Sequence, residues 1–462
     1  MHGVGGGTLM FERVQNWLST HAQPIGVDFG SDCLRLAQVQ FHGNEPRLIA
    51  AASADVPHHI RQDAEARMAF FSENVRDLLA QGNFRGRQAI LGLPAASMFI
   101  RHLRTARMND DQLRTALRVE ARGLLPIDLS NAVLRHLVAG EVPHDPEPLL
   151  EIILMAASRD SVNTLLAAAT AARLDVIGMN VEPMALVDCF SHVYRRKSDL
   201  EVTTLFVDIG CSASRAMICR GRQVLFARSI SIGSDHFTRA VCEALKIDFE
   251  EAKVLRIKLS RLEATLPELG SPELEIPRNV SASLQTPSHS AMAIGQSRHE
   301  ESNDSAVATI NPPRQGREFD EATNDPFDAV DADVIATGAA ATSDAAVLAE
   351  KAAIVRNACR LPLSGLVEEL DLCRRYYETT FPNRPVDRAL FVGGEARQRS
   401  LCQYLAGELG LPGQIGDPLA RMSRNNDIAP ETGIDRREPQ PAWAVAVGLT
   451  LGSPAEQPEI ES

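Results

Sequence analysis

The residues best able to do chemistry come as a repeated set. PIGVDFGSDCLRLAQV at 24–39 and TLFVDIGCSASRAMIC at 204–219 each run from an apolar, β-type stretch into Asp, an apolar residue, Gly and small polar residues, then into a second alternating apolar stretch. A glycine in such a turn lets backbone N–H groups come close to phosphate oxygens. The Asp ending the first strand faces the same space and can hold a hydrated divalent cation. Either copy alone reads first as an ordinary tight hairpin turn. Two copies read as one hairpin design used twice, able to clamp phosphates between facing loops. A third stretch, RALFVGGEARQRSLCQYLAGEL at 388–409, reads as a strand, a Gly-Gly turn and a helix. The glycine pair there admits a flat ring or a ribose against the backbone and the helix start.

Positioning three separated motifs takes a large scaffold. With 462 residues, 44% of them hydrophobic, the chain can bury more than one core, because single cores stop growing near ~250–300 residues; two lobes are expected. A net charge of -13 argues against nonspecific binding to nucleic acid or anionic lipid. Eight cysteines, with no C-x-x-C pair and no zinc-type His cluster, predict a protein of the reducing cytosol. No apolar run is long enough to cross a bilayer, and no secretion signal is evident.

Three segments stand apart from the motifs. Residues 1–23 begin Gly-rich and continue as a short amphipathic stripe of Met10, Phe11, Val14, Trp17 and Leu18, which suits docking on the protein or a neighbour, or contact with a membrane surface; Met10 is an alternative start. The stretch 262–345 is rich in Ser, Ala, Pro, Asn and Asp and reads as a disordered insertion. Helical patterns flank it, with Pro362 expected to break or restart the second. The end, 453–462, is a polar, acidic tail.

In this order and spacing the three motifs resemble the phosphate 1, phosphate 2 and adenosine motifs of the actin, Hsp70 and sugar-kinase superfamily. Within it the chain resembles the PilM family of type IV pilus assembly, relatives of the division protein FtsA. The likeness extends over AILGLPAASMFIRHLRTARMNDDQLRTALRVEARGLLPIDLSNAVLRHLV at 89–138 and EIILMAASRDSVNTLLAAATAARLDVIGMNVEPMALVDCF at 151–190. It implies an α/β, actin/Hsp70-like, two-lobed duplicated ribonuclease-H-like ATPase fold with an FtsA/PilM-type inserted subdomain. The first-lobe core would be 24–88, the inserted subdomain 89–178, and the second lobe 179–261 and 346–452.

The resemblance also assigns residues. ATP and Mg²⁺ are the implied cofactors, with Asp28 and Asp208 orienting the metal. Gly30, Ser31, Asp32, Cys33 and Arg35 would wrap the phosphates from one side, and Gly210, Cys211, Ser212, Ser214 and Gly233 from the other. A thiol is a weak hydrogen-bond donor, so cysteines at 33 and 211 weaken the case for fast turnover. Glu182, in NVEPMALVD, either polarises the attacking water beside Asp208 or is a favourable charge at a helix start. Gly393, Gly394 and Glu395 would border the adenosine. Glu251 and Lys253 would close over base and ribose, although charged helical residues are often simply solvated.

Function then divides into two classes. The family resemblance implies an ATP-binding scaffold and slow ATPase, cytoplasmic and peripheral at the inner membrane. It would hold the N-terminal cytoplasmic peptide of a PilN-like single-pass inner-membrane protein, in a groove between the first-lobe core and the inserted subdomain that involves residues of the 89–140 region. Other pilus platform proteins and self-association are further expected contacts; nucleic acid is not. The other class is a small-molecule kinase. An FtsA-like filament protein is a nearer rival, but the acidic tail lacks that family's membrane helix.

Overall fold

The computed structural model describes residues 22–43, 45–94, 97–265, 307–309, 340–424, 434–435 and 437–452. The stripe from Met10 to Leu18, the tail and most of 262–345 lie outside the described residues.

The first lobe begins with β1 (Ile25–Phe29), β2 (Cys33–His42) and β3 (Glu45–Asp55), followed by α1 (Ala64–Gln81) and β4 (Gln88–Leu93). Next come β5 (Met98–Ala106), α2 (Asp110–Leu124), β6 (Ala132–Val142) and β7 (Leu149–Ser158). The chain continues through α3 (Arg159–Ala171), β8 (Asp175–Val181), α4 (Glu182–Ser191) and α5 (Lys197–Glu201). The second lobe holds β9 (Thr203–Ile209), β10 (Ser214–Arg220), β11 (Gln223–Ile230), α6 (Ser234–Leu245) and α7 (Phe249–Thr265). It is completed by β12 (Val307–Thr309), α8 (Ala340–Thr380), β13 (Arg388–Val392), α9 (Arg399–Leu409) and β14 (Gly413–Gly416). Finally, β15 (Ser423–Arg424) returns to the first sheet and α10 (Ala444–Leu451) lies between the lobes.

The sequence repeat becomes a structural one. The sheets run β15-β3-β2-β1-β4-β8 and β11-β10-β9-β13-β14-β12. In each, a central strand pairs antiparallel with its hairpin partner and parallel with a later strand, as β1 does with β2 and β4 and β9 with β10 and β13. Both β1 and β9 are buried at every residue, which is why their sequences are largely apolar, broken by Asp28 in the first and by Thr203, Thr204 and Asp208 in the second.

Between the sheets lie two helices. α10 packs on β1, β2 and β4, while α4 packs on the second sheet through Phe190, whose ring sits 5.6 Å from that of Phe206. The two cross almost without side chains, since a Cβ on Gly448 would lie 1.8 Å from the Ala185 carbonyl oxygen, and α10 sits as close on β1, where a Cβ on Gly26 would lie 2.1 Å from the Ala446 oxygen.

The inserted subdomain is a separate antiparallel sheet, β5-β7-β6, covered by α2. It is narrower than 89–178, because β4 and β8 belong to the first-lobe sheet and α3 packs on that sheet's outer face. Its main tie is to the second lobe. The fully buried Glu151 on β7 accepts hydrogen bonds from His102 Nδ1 (3.0 Å), Arg104 Nε (3.0 Å) and the Tyr376 hydroxyl of α8 (2.7 Å). Burial alone would raise its pKa, but these bonds hold Glu151 below the usual carboxylate range.

Two local expectations are corrected. α8 runs through Pro362 as one helix, because Val355 before the proline and Leu366, Leu370 and Tyr377 after it are all buried; that packing outweighs the ~3 kcal/mol an interior proline costs. Within the stretch read as a disordered insertion, Val307–Thr309 forms the edge strand β12 antiparallel to β14, while α7 reaches Thr265 and α8 starts at Ala340.

Two stability experiments follow. Gly448→Ala forces α4 and α10 apart and should cost about 3 kcal/mol or more, read as a lower urea midpoint. His192, at the end of α4, has both ring nitrogens shut off from solvent, and desolvation lowers its pKa to about 4. Its contribution is present above the ordinary value of 6.5 and is lost as pH falls toward 4, because the unfolded chain takes the proton first. Thermal melts of His192→Gln should converge on or exceed wild type between those limits, by on the order of 3 kcal/mol at most.

Candidate functional site

The loops after β1 and β9 approach each other in the cleft between the sheets. Asp28, Gly30, Ser31, Asp32 and Arg35 line it from the first hairpin, and Asp208, Gly210, Cys211, Ser212 and Arg215 from the second. Gly393, Gly394 and Glu395 close one end together with Pro441 and Ala442, and Glu182 enters from the start of α4. The three motifs singled out in the sequence thus meet in one cavity.

Each loop has its own brace. Arg67 of α1 stacks over the Phe29 ring at 4.5 Å and donates to the carbonyls of Gly30 and Ser31, both at 3.1 Å. The second loop rests on the start of α6, where Ser234 and Asp235 N–H groups donate to Gly210 and Cys211 carbonyls, each at 3.0 Å. Gly233 permits this approach, since a Cβ there would lie 2.4 Å from the Cys211 oxygen. With their carbonyls held from behind, the loops touch: the Ser31 and Ser212 hydroxyls share a 2.7 Å hydrogen bond. Arg61 strengthens the contact by crossing from the first lobe to Asp235, 3.5 Å away, and to the Cys211 sulfur at 3.3 Å.

Acid dominates the floor. Asp28, Asp208 and Glu182 are all buried. Burial pushes Asp28 up to about 6, against the pull of Arg35, its cross-strand partner on β2. Arg215 stands opposite Asp208 in the same way, with Nη1 2.9 Å from Asp208 Oδ2 and Nε in contact with a Glu182 carboxylate oxygen. Burial alone would lower its pKa, yet Glu182, Asp208 and Asp28 together raise it, so the guanidinium is permanently charged. Sequence reasoning passed over this residue. The available signal was the spacing: Arg follows Asp by seven residues in both hairpins, at 28/35 and 208/215.

At the other end, Glu395 is held by two parallel bonds from Arg256 of α7, at 2.8 and 3.0 Å, and by Gln398. Gly393 has φ +89°, and a Cβ there would meet Asp208 Oδ1 at 2.3 Å, so the turn demands glycine.

Some expected residues lie elsewhere. Cys33 is buried, donates its thiol proton to the Leu34 carbonyl and is pushed up to about 12 by burial; it does not line the cleft. Ser214 points away and donates to the Ile232 carbonyl at 2.6 Å, because its neighbour Arg215 takes the cleft face of β10. Glu251 is exposed at the start of α7 and Lys253 half-buried, both outside the cavity lining; that helix reaches the cleft only indirectly, through the bonds of the buried Arg256 to Glu395. Cys211 does line it, but its thiol donates to Asp235 Oδ1 at 3.0 Å and burial raises its pKa.

Residues 98–102, within the region expected to bind a peptide, line a groove. It holds about 590 Å³ and lies between β5 and β11, bounded by Met98, Phe99, Ile100, Phe226 and Tyr376. Its second wall is therefore the second lobe, whereas the first-lobe core was expected. Ser212 and Ala213 of the phosphate-type loop line this groove as well as the cleft.

Among the described residues, no helix is long and apolar enough to cross a membrane. Residues 26–268 match the family model described as type IV pilus assembly protein PilM. Among solved structures, a chain of the PilM-PilN type IV pilus biogenesis complex aligns at 18% identity over 93% of this chain and 98% of its own, with a TM-score of 0.62. Ethanolamine utilization protein EutJ from Carboxydothermus hydrogenoformans aligns at 12% identity over 93% and 89%, with a TM-score of 0.45. The activator of the 2-hydroxyisocaproyl-CoA dehydratase from Clostridium difficile, with bound ADPNP, aligns at 10% identity over 93% of each chain, with a TM-score of 0.36. With its duplicated sheets and facing hairpin loops, the chain has the actin-like ATPase fold and belongs to the PilM family of type IV pilus assembly proteins.

Proposed function

We propose that this chain is a nucleotide-gated adaptor on the cytoplasmic side of a pilus assembly platform. It takes ATP into the interlobe cleft and holds the cytoplasmic tail of a PilN-like inner-membrane protein in the groove between β5 and β11. The observation that carries this reading is the shared loop: Ser212 and Ala213 line both sites. Phosphate oxygens entering between the hairpins must replace the Ser31–Ser212 hydrogen bond. That displacement moves one wall of the groove, and a tail that prefers one loop position is thereby coupled to the nucleotide.

The groove suits an extended peptide. β5 and β11 are each the outer strand of their sheet, and outer strands offer backbone groups to an added strand, while apolar side chains such as Phe99, Ile100 and Phe226 select its residues. The partner's membrane span would then supply the attachment to the inner membrane.

Glycines at both turns and at 393–394 give the backbone approach that phosphates and adenosine need. Hydrolysis should be slow. Glu182, the candidate for polarising water, already binds the Arg215 guanidinium, so its carboxylate is committed before any water arrives.

Gly210→Val should abolish ATP binding in isothermal titration, because even the first added carbon would lie 2.8 Å from the Ala213 carbonyl and 3.2 Å from Arg215 Nη1; unchanged affinity would remove the clamp assignment. Ile100→Asp should weaken the tail peptide of the neighbouring PilN-like protein at least about tenfold, measured by fluorescence anisotropy with and without ATP. Rapid phosphoryl transfer to a sugar or carboxylate, with no peptide binding in either state, would replace the adaptor with a kinase.

A further inference from the structure

The metal implied by the fold family does not fit this cleft. A hydrated divalent cation would stand among Asp28, Asp208 and Glu182, but a guanidinium already stands there, bonded to two of the three and in the field of the third. Among the described residues, no group of three or more His, Cys, Asp or Glu side chains is arranged to hold a metal ion. The side chain is 18% exposed, so swinging it out to admit a metal would break both ion pairs and leave buried carboxylates facing one another, a costly rearrangement.

The surroundings fit a cation that stays. Arg215 extends from a strand pair whose register places it directly across from Asp208. Arg35 occupies the matching place in the first hairpin, across from Asp28. Both arginines line the cavity, one from each lobe. A guanidinium carries fixed, forked N–H donors that meet phosphate oxygens in pairs, which a point charge cannot do. Phosphates seated between the loops would find cationic donors on both sides.

We propose that Arg215 is the resident cation of the cleft, standing in the place of Mg²⁺, and that this chain binds its nucleotide without a divalent metal. The inference rests on the nucleotide-binding part of the function proposed above. Arg215 acts there as a binding residue, closing the cleft through Asp208 and Glu182 and meeting the phosphates from the second lobe. Replacing it exposes an acidic floor that repels a nucleotide until a divalent ion neutralises it.

The test is isothermal titration of ATP and ADP into the full chain, once with excess Mg²⁺ and once in EDTA. Wild-type affinity should differ by less than about threefold between the two, whereas Arg215→Gln should lose at least about tenfold in EDTA and recover in Mg²⁺. Electron paramagnetic resonance with Mn²⁺ gives an independent readout: adding the wild type should leave the spectrum of a protein-free Mn²⁺–ADP solution without an immobilised component, whereas Arg215→Gln should immobilise Mn²⁺. If Arg215→Gln does not fold, the wild-type comparison still decides, and Arg215→Lys keeps a charge while removing the fork. Wild type that binds nucleotide only with Mg²⁺, or that immobilises Mn²⁺, overturns the inference and leaves the adaptor reading intact. No binding by any form in either condition overturns both the inference and the nucleotide part of that reading.

Discussion

The arrangement of this cleft depends on one half-buried positive charge. Asp28 comes from the first sheet, Glu182 from the helix between the lobes, and Asp208 from the second sheet. Three carboxylates gathered from three elements repel one another in a place where water cannot screen them. The Arg215 guanidinium reaches two directly and acts on the third, and so makes it possible for the elements to meet. The hairpin loops line the same cavity as that charge, and the Ser31–Ser212 bond joins them.

Rigidity around this centre is distributed unevenly. The lobes pack through α4 and α10, whose glycine crossing leaves no room for side chains and so resists shear. The inserted subdomain is anchored to the second lobe by Glu151, buried and fully bonded. The hydroxyl contact between loops and the Arg61–Asp235 pair are weaker links across the cleft. A ligand between the lobes would therefore work against the loops first, and the groove shares one of those loops. The coupling proposed between cleft and groove needs no long pathway, since Ser212 and Ala213 line both.

Much of the site was legible because the chain states it twice. A motif that recurs with the same residue types must serve the same geometry, so Asp28 and Gly30 could be matched to Asp208 and Gly210, and all four converge in the structure. Arg215 was missed although the repeat contained it. Resemblance directed attention to the hydroxyl at Ser214, but neighbours in a strand face opposite ways and the cross-strand partner of Asp208 is the arginine. Lys253 and Glu251 were chosen on the right helix but the wrong face, since only the packing of α7 against Glu395 selects Arg256.

The amino-acid sequence by itself determined the two-lobed design, the hairpin loops and the glycine turns, because local chemistry dictates them: apolar runs must be buried, and close backbone approaches demand glycine. Only the tertiary structure decided what fills the space between the loops, which lobe holds the inserted subdomain, and that α8 continues through Pro362. Each of these is a competition between distant groups. The carboxylates of three elements compete for one guanidinium, Glu151 draws Tyr376 from more than two hundred residues away in the chain, and buried contacts on both sides of a proline outweigh its local preference. Such outcomes depend on distances that exist only once the chain has folded.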